Sequence, residues 1–331
     1  MGKKFLIIRF SSIGDIVLTT PLIRCLKLQL PGSQIHYLTK PAYKEILEPN
    51  PYLEKVHILT NPEGTSLKNL KKENFDFVID LHHNLRSLRT KFTLGKKSSS
   101  FPKLNFEKWL LVNFKINRLP DIHIVDRYFS TLKSFGISND QKGLDFFIPE
   151  STAIPQNILD SFASGKKYFA WAIGGKFATK RFPSKKIIEV INSGSNNFIL
   201  LGGSEDQREG ENIEAGTGGR CLNLCGKLSL LQAALGSKNA DALLTNDTGL
   251  MHIGAALKKK IISFWGNTIP EFGMYPYETG FVVEHAGIMF EEKDLSCRPC
   301  SKLGYAQCPK KHFKCMENIS TEEVAKTLSL L

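Results

Sequence analysis

Several short stretches of this sequence set reactive side chains at spacings that suit one reaction. Arg9-Phe10-Ser11-Ser12-Ile13-Gly14-Asp15 follows an apolar run and leads into a helical pattern. Ser11 and Ser12 offer hydroxyls, and Gly14 permits close backbone approach. Asp15 stands at a helix N-terminus, where it serves either as a cap for helix N–H groups or as a proton acceptor. Asn246-Asp247-Thr248-Gly249-Leu250-Met251-His252 also follows an apolar run. Asp247, Thr248 and Gly249 open a helix whose N–H groups and dipole suit a diphosphate. His252, four residues after Thr248, shares its helix face and is either a ligand to a phosphate or sugar oxygen or a satisfied core histidine.

Gly174-Gly175-Lys176 and Lys180-Arg181-Phe182-Pro183 bring paired glycines and then cations to the end of another apolar run. Lys176 and Lys180 supply point charges for phosphate or belong to a solvated basic loop. Gly202-Gly203-Ser204-Glu205-Asp206 repeats the pattern with acids: Glu205 suits a ribose, or simply an acidic first helical turn. Asp80-Leu81-His82-His83-Asn84-Leu85-Arg86-Ser87 offers His82, His83, Asn84 and Arg86 to an acceptor bearing carboxylates or phosphates, or caps the next helix. Four of the seven cysteines fall within Cys297-x2-Cys300-x7-Cys308-x6-Cys315, with His312 nearby. That cluster reads as a structural zinc knot or as reduced thiols, and last as disulfides, since no export signal is visible. Cys25, Cys221 and Cys225 read as interior packing.

The elements that must position these groups alternate between apolar runs and helical periods. Strands are expected at 4–10, 35–38, 56–59 and 75–81, with a helix at 15–29 and two more at 106–114 and 125–135 closing the first half. The rhythm restarts after residues 149–155, with strands expected at 168–173, 198–201, 242–245 and 260–265 and helices between them. Residues 138–143 and 150–157 read as linkers, and 320–331 as a tail helix. This is the signature of two doubly wound parallel sheets, expected as domains 1–150 and 151–331 with a cleft between them.

The chain of 331 residues carries 44 Lys+Arg against 32 Asp+Glu, a formal +12, which favours an anionic partner. Its longest uncharged stretch, 190–204, is broken by Asn, Ser and Gly, so no bilayer span is expected; Met1-Gly2-Lys3-Lys4 reads as the approach to a first strand and not as a signal peptide. Lys91, Lys96, Lys97, Lys103 and Lys108, interspersed with Phe92, Phe101, Phe106 and Trp109, suit either an anionic membrane surface or a solvated face. The other cations are scattered and no nucleic-acid motif appears, so nucleic acid is not an expected partner.

Together these stretches resemble glycosyltransferase family 9, the ADP-heptose:lipopolysaccharide heptosyltransferases, over nearly the whole chain. The resemblance implies the α/β GT-B fold, two Rossmann-like domains facing across a cleft, the first for the acceptor and the second for the nucleotide-sugar, and a tail helix that commonly crosses back to the first domain. It implies that Asp15 is the general base, Lys180 a diphosphate ligand, Glu205 a nucleoside-binding acid and Leu228 a wall of the adenine pocket. Asp247, Thr248, Gly249 and His252 match the donor loop. Ser11, Ser12, Gly14, His82, His83, Asn84 and Arg86 fall on the acceptor side. Phe182 stands where the family has Trp, and Gly175-Lys176 departs from members with hydroxyls there.

With no Asp-x-Asp motif, the expected reaction is metal-independent, inverting transfer of a sugar, heptose by family default, from ADP-heptose or another nucleoside-diphosphate sugar to an anionic glycolipid at the cytoplasmic membrane face. No catalytic cofactor is expected, and a structural zinc at the cysteines stays open. A non-catalytic sugar-nucleotide binder is the runner-up, and a basic nucleic-acid-binding protein with a zinc module comes after it.

Overall fold

The computed structural model describes residues 2–60, 65–155, 162, 167–277 and 287–331. The chain divides into two compact units: Met1–Leu104 with Asp121–Pro149, and Asn105–Pro120 with Glu150–Leu331.

The first unit is built on a parallel sheet of β1 (Lys4–Ile8), β2 (Gln34–Thr39), β3 (Lys55–Ile58), β4 (Phe77–Asp80) and β5 (Lys97–Ser100), in the order β3-β2-β1-β4-β5. Phe5, Leu6, Ile7 and Ile8 of the central β1 are fully buried, as expected of a strand covered on both faces. The order reverses direction at β1/β4, the point where open α/β sheets bind ligands beyond their strand ends.

The helix expected at 15–29 is two helices, α1 (Ile13–Val17) and α2 (Thr20–Gln29). Pro21 has no N–H to give the preceding turn. The hydroxyls of Thr19 and Thr20 instead donate to the carbonyls of Ile16 and Val17, each at 2.7 Å. The remaining helices of this unit are α3 (Lys44–Leu47), α4 (Thr65–Lys72) and α5 (Leu85–Leu94), with α7 (Ile124–Phe129) after the excursion described next. The presumed linker at 138–143 is fastened to α2, because the Arg24 guanidinium donates to both oxygens of Asp140 (2.8 and 2.7 Å) and to the Gly143 carbonyl (2.9 Å).

The excursion corrects the expected boundary. Helix α6 (Asn105–Phe114) belongs to the second unit: Leu111 packs with Ile269 and Phe272, and the Lys108 ammonium lies 5.5 Å from the Phe272 ring centre. Residues 105–120 therefore leave the domain expected at 1–150.

The second unit carries a parallel sheet of β6 (Tyr168–Ala172), β7 (Asn197–Leu201), β8 (Cys221–Asn223), β9 (Ala242–Asn246), β10 (Lys260–Trp265) and β11 (Ile288–Glu291), in the order β11-β10-β9-β6-β7-β8. Its switch point lies at β6/β9. Helices α8 (Ser184–Asn192), α9 (Gln207–Ala215), α10 (Leu230–Asn239) and α11 (Gly249–Ala256) connect the strands, and α12 (Lys314–Glu317) and α13 (Thr321–Ser329) end the chain. The tail helix packs within this unit, setting Val324 and Leu328 into the core that holds Ile187, Val190 and Ile191 of α8. The segment expected as a linker at 150–157 is described to residue 155; Gln156 and Asn157 lie outside the described residues.

An aromatic stack centres this core. Phe182 lies 4.3 Å from Phe264 at an interplanar angle of 16°, and Trp171 lies 5.7 Å from Phe264. Phe182 thus serves packing, with about 0.5–1.5 kcal/mol per ring pair beyond the area it buries.

Candidate active site

In the first unit, the loops after β1 and β4 are joined by one buried arginine. The Arg9 guanidinium pairs with Asp15, donates to the Leu81 carbonyl, and sends its Nε to the Ser11 carbonyl at 2.9 Å. Burial opposes its charge, but Asp15 and the neighbouring Tyr128 outweigh that and hold its pKa above the ordinary value. Asp15 in turn accepts from the Ser12 N–H (3.0 Å) and hydroxyl (2.7 Å), with its side chain 18% exposed. One carboxylate oxygen closes the helix start, and the carboxylate as a whole is oriented by Arg9. Gly14 is buried, while Ser11 and Ser12 stay accessible.

The β4 loop is mostly architecture. Asp80, fully buried, accepts from the N–H groups of His82 (3.0 Å) and His83 (2.7 Å), from Ser87 Oγ (2.9 Å), and pairs with Lys91 at 3.0 Å. Asn84 caps α5, its Oδ1 accepting from the Ser87 N–H at 3.0 Å. His83 is exposed, with Nδ1 3.0 Å from the Phe101 carbonyl, and Arg86 lies over Phe10 at 5.9 Å. His82 packs edge-on to Phe10, 4.9 Å away. Burial and then the Arg9 charge lower its pKa to about 4, so it is a neutral imidazole near pH 7 and supplies no positive charge to an anionic acceptor.

In the second unit the loops after β6, β7 and β9 converge. Lys180 Nζ reaches Asp247 Oδ2 at 2.5 Å, and Thr268 Oγ1 donates to that oxygen at 2.8 Å. Thr248 forms the N-cap of α11 with Gly249 behind it, both half-exposed. Asn246, fully buried, was present in the motif but not singled out: its amide donates to the carbonyls of Ile173 (3.0 Å) and Gly174 (3.1 Å) and accepts from the Phe182 N–H (3.0 Å). It staples the glycine turn to the Lys180–Pro183 segment.

One glycine of each pair, Gly174 and Gly202, makes room for a neighbouring side chain. A Cβ on Gly174 falls 2.3 Å from Asp206 Oδ2, and one on Gly202 falls 2.8 Å from the Asp206 Cβ. Both make room for Asp206, which pairs with Arg181 at 3.1 Å and whose burial raises its pKa. Gly175 is not crowded in this way: a Cβ there meets Arg181 and Thr248 at 3.5 and 3.6 Å, ordinary van der Waals contact.

The other expected donor residues divide. Glu205 is exposed at its loop tip, and Lys176 is exposed over the Phe177 ring. Leu228 is half-buried against the sheet core. His252 is buried on α11, only 3% exposed.

Metal-binding groups were also tested for fit. All seven cysteines are free thiols, and Cys25, Cys221 and Cys225 are buried as expected. Cys300 is raised by burial and then by Cys297 and Cys308. Cys315 is pushed up to about 12 by burial and then by Cys300. His312 Nε2 lies 3.9 Å from Cys297 Sγ. The soft donor set suits zinc, but its ligand atoms are not drawn within 4.8 Å of one another. Among the described residues, only His36, His57 and Glu73 meet that distance. Glu73 is held by Lys55 (2.6 Å) and Lys4 (3.3 Å), two ammonium groups that a cation would have to displace.

These geometries meet a clear likeness. The model of glycosyltransferase family 9 (heptosyltransferase) matches residues 65–300. The chain belongs to glycosyltransferase family 9. It is 25% identical over 291 residues to lipooligosaccharide heptosyltransferase 2 of Haemophilus influenzae, covering 81% of this chain and 84% of that one. Its fold matches that of the family 9 glycosyltransferase of Veillonella parvula (TM-score 0.76, 22% identity, 99% and 96% of the two chains). It also matches the Escherichia coli ADP-heptose LPS heptosyltransferase II (TM-score 0.72, 19% identity, 99% and 98%). The fold is GT-B, and the protein is a glycosyltransferase. No helix of the described residues is long and apolar enough to cross a membrane.

Proposed function

We propose that this enzyme transfers heptose from ADP-heptose to a lipopolysaccharide core acceptor, with inversion and without a catalytic metal. The observation that carries this reading is the Lys180–Asp247–Thr248 cluster at the β6/β9 switch point: a cation and a helix N-terminus side by side, where a diphosphate leaving group needs stabilising. The heptosyltransferase relatives supply the sugar and the nucleotide.

In a single displacement, the acceptor hydroxyl attacks the anomeric carbon and gives its proton to Asp15. The bond from that carbon to the diphosphate oxygen breaks as the new bond forms. Lys180 and the α11 N-terminus take up the charge gained by departing ADP. Arg9 and Ser12 fix the direction of the Asp15 carboxylate, and Asn246 fixes the turn that bears Lys180. The first unit is assigned to the acceptor and the second to the donor.

The charged, partly apolar surface expected to touch a membrane is narrower than the sequence suggested. Phe101 is buried, and Lys91 is engaged with Asp80. Leu85, Leu88 and Phe92, spaced for one face of α5, are 85%, 56% and 87% exposed among Arg86, Arg89 and nearby lysines. We assign this helix to contact with anionic lipid. The Cys297–Cys315 segment is the place assigned to a structural zinc, which requires its four thiols to draw together into the tetrahedral site their chemistry suits.

The test is release of ADP from ADP-heptose in the presence of a heptose-deficient lipopolysaccharide acceptor. Acceptor-dependent release that is unaffected by chelator supports the reading. No release with any core acceptor contradicts it.

A further inference from the structure

The Cys-rich segment is tied to the donor cluster by hydrogen bonds that its cysteines do not make. Arg298, between Cys297 and Cys300, has its side chain only 4% exposed and pairs with Glu291 at 2.8 Å. Its remaining donors go to backbone: Nε to the Gly266 carbonyl (2.7 Å), one terminal nitrogen to the Thr268 carbonyl (2.9 Å) and the other to the Glu292 carbonyl (3.0 Å). A planar fork with five donors holds two points of one loop at a fixed separation, which a flexible ammonium does not do.

The loop it holds is the one after β10, and that loop touches the donor cluster twice. Thr268 Oγ1 donates to Asp247 Oδ2 at 2.8 Å, the same oxygen that receives Lys180. Gly266 runs so close to the 178–180 turn that a Cβ there falls 2.5 Å from the Thr179 carbonyl oxygen. The Cys-rich segment grips that turn directly as well: the Tyr305 N–H donates to Thr179 Oγ1 at 2.8 Å, and the Thr179 N–H to the Tyr305 carbonyl at 3.2 Å. Both neighbours of Lys180, its carboxylate partner and its own backbone turn, are thus set from residues 298–305.

We propose that Arg298 is a positioning residue for nucleoside-diphosphate binding: it clamps the Gly266–Thr268 loop, whose Thr268 hydroxyl fixes Asp247 and so fixes where the Lys180 ammonium stands. The proposal rests on the reading of the Lys180 cluster as the donor site. It gives the Cys-rich segment a function beyond holding a fold, carried by Arg298 and Tyr305.

The experiment is calorimetric titration of ADP into the full-length protein and its variants. Arg298→Met weakens ADP on the order of tenfold, because a displaced charge loses the geometry it was held in. Thr268→Val, which leaves the clamp itself intact, weakens ADP in the same direction, and Thr268→Ser restores it. In a Lys180→Ala background, Arg298→Met has no further effect, since both act through one ammonium. Should Arg298→Met not fold, the two Thr268 variants decide alone. The clamp is overturned if wild type binds ADP and the folded variants bind it equally well, or if the Arg298 and Lys180 effects simply add. A wild-type protein that does not bind ADP overturns the donor reading and the clamp together.

Discussion

The strand-end loops of the two units use the same polar residue types in opposite ways. In the first unit Asp80 is wired inward: it is fully buried and spends its oxygens on two backbone N–H groups, a serine and a lysine. In the second, Lys180 and Asp247 meet at a side-chain pair 17% and 13% exposed, at the mouth of a helix. A motif in the first unit therefore builds a rigid frame around one presented group, Asp15. A motif in the second sets the Lys180–Asp247 pair beside a helix N-terminus, the charges that the proposed donor would re-pair. Identical letters in a sequence do not tell these two uses apart.

The sharpest way to break this contrast is Asp15→Asn, which should lower acceptor-dependent turnover by about 10²–10⁴-fold, the range for a lost general base. Turnover within a few-fold of wild type would reduce Asp15 to a cap. Next is Lys180→Ala, expected to cost about 10²-fold in kcat/KM by removing charge from the leaving group. A rise in KM alone would mean that the cation only binds ground-state donor.

Gly174→Ala comes third. The added methyl meets the Asp206 carboxylate at 2.3 Å, so thermal unfolding should show a loss of about 1–3 kcal/mol. An unchanged melting temperature would show that Asp206 gives way to the methyl at no cost. The smallest effect concerns acid. His57 and His82 both have pKa values lowered to about 4, burial being the first cause. The unfolded chain takes up those protons first, near pH 6.5, so stability is fully present above that pH and declines as pH falls toward 4. His82→Gln should flatten part of that slope in a melting-temperature profile. An identical slope would remove His82 from the account.

Much of this was legible. Continuous apolar runs marked β1, β6, β7, β9 and β10, and Asp15, Lys180 and the Asp247–Gly249 stretch were visible as motifs at their ends. Strand β5 escaped because Lys97-Ser98-Ser99-Ser100 has no apolar signal and is held by its pairing with β4. The switch of α6 to the second unit escaped because it depends on Leu111 meeting Ile269 and Phe272, far along the chain. The crowding at Gly174 and Gly202 escaped because the Asp206 carboxylate that both accommodate lies 32 residues beyond Gly174. Arg298 gave no signal at all: an arginine between two cysteines looks like spacing until its three carbonyl partners are in place.

The division of labour between a presented base and a re-pairable donor cluster is tested most directly by titrating ADP into wild type, Asp15→Asn and Lys180→Ala side by side. The account predicts that Asp15→Asn binds ADP as wild type does while Lys180→Ala binds it on the order of tenfold or more weakly. Equal loss in both variants, or loss in Asp15→Asn alone, would contradict it.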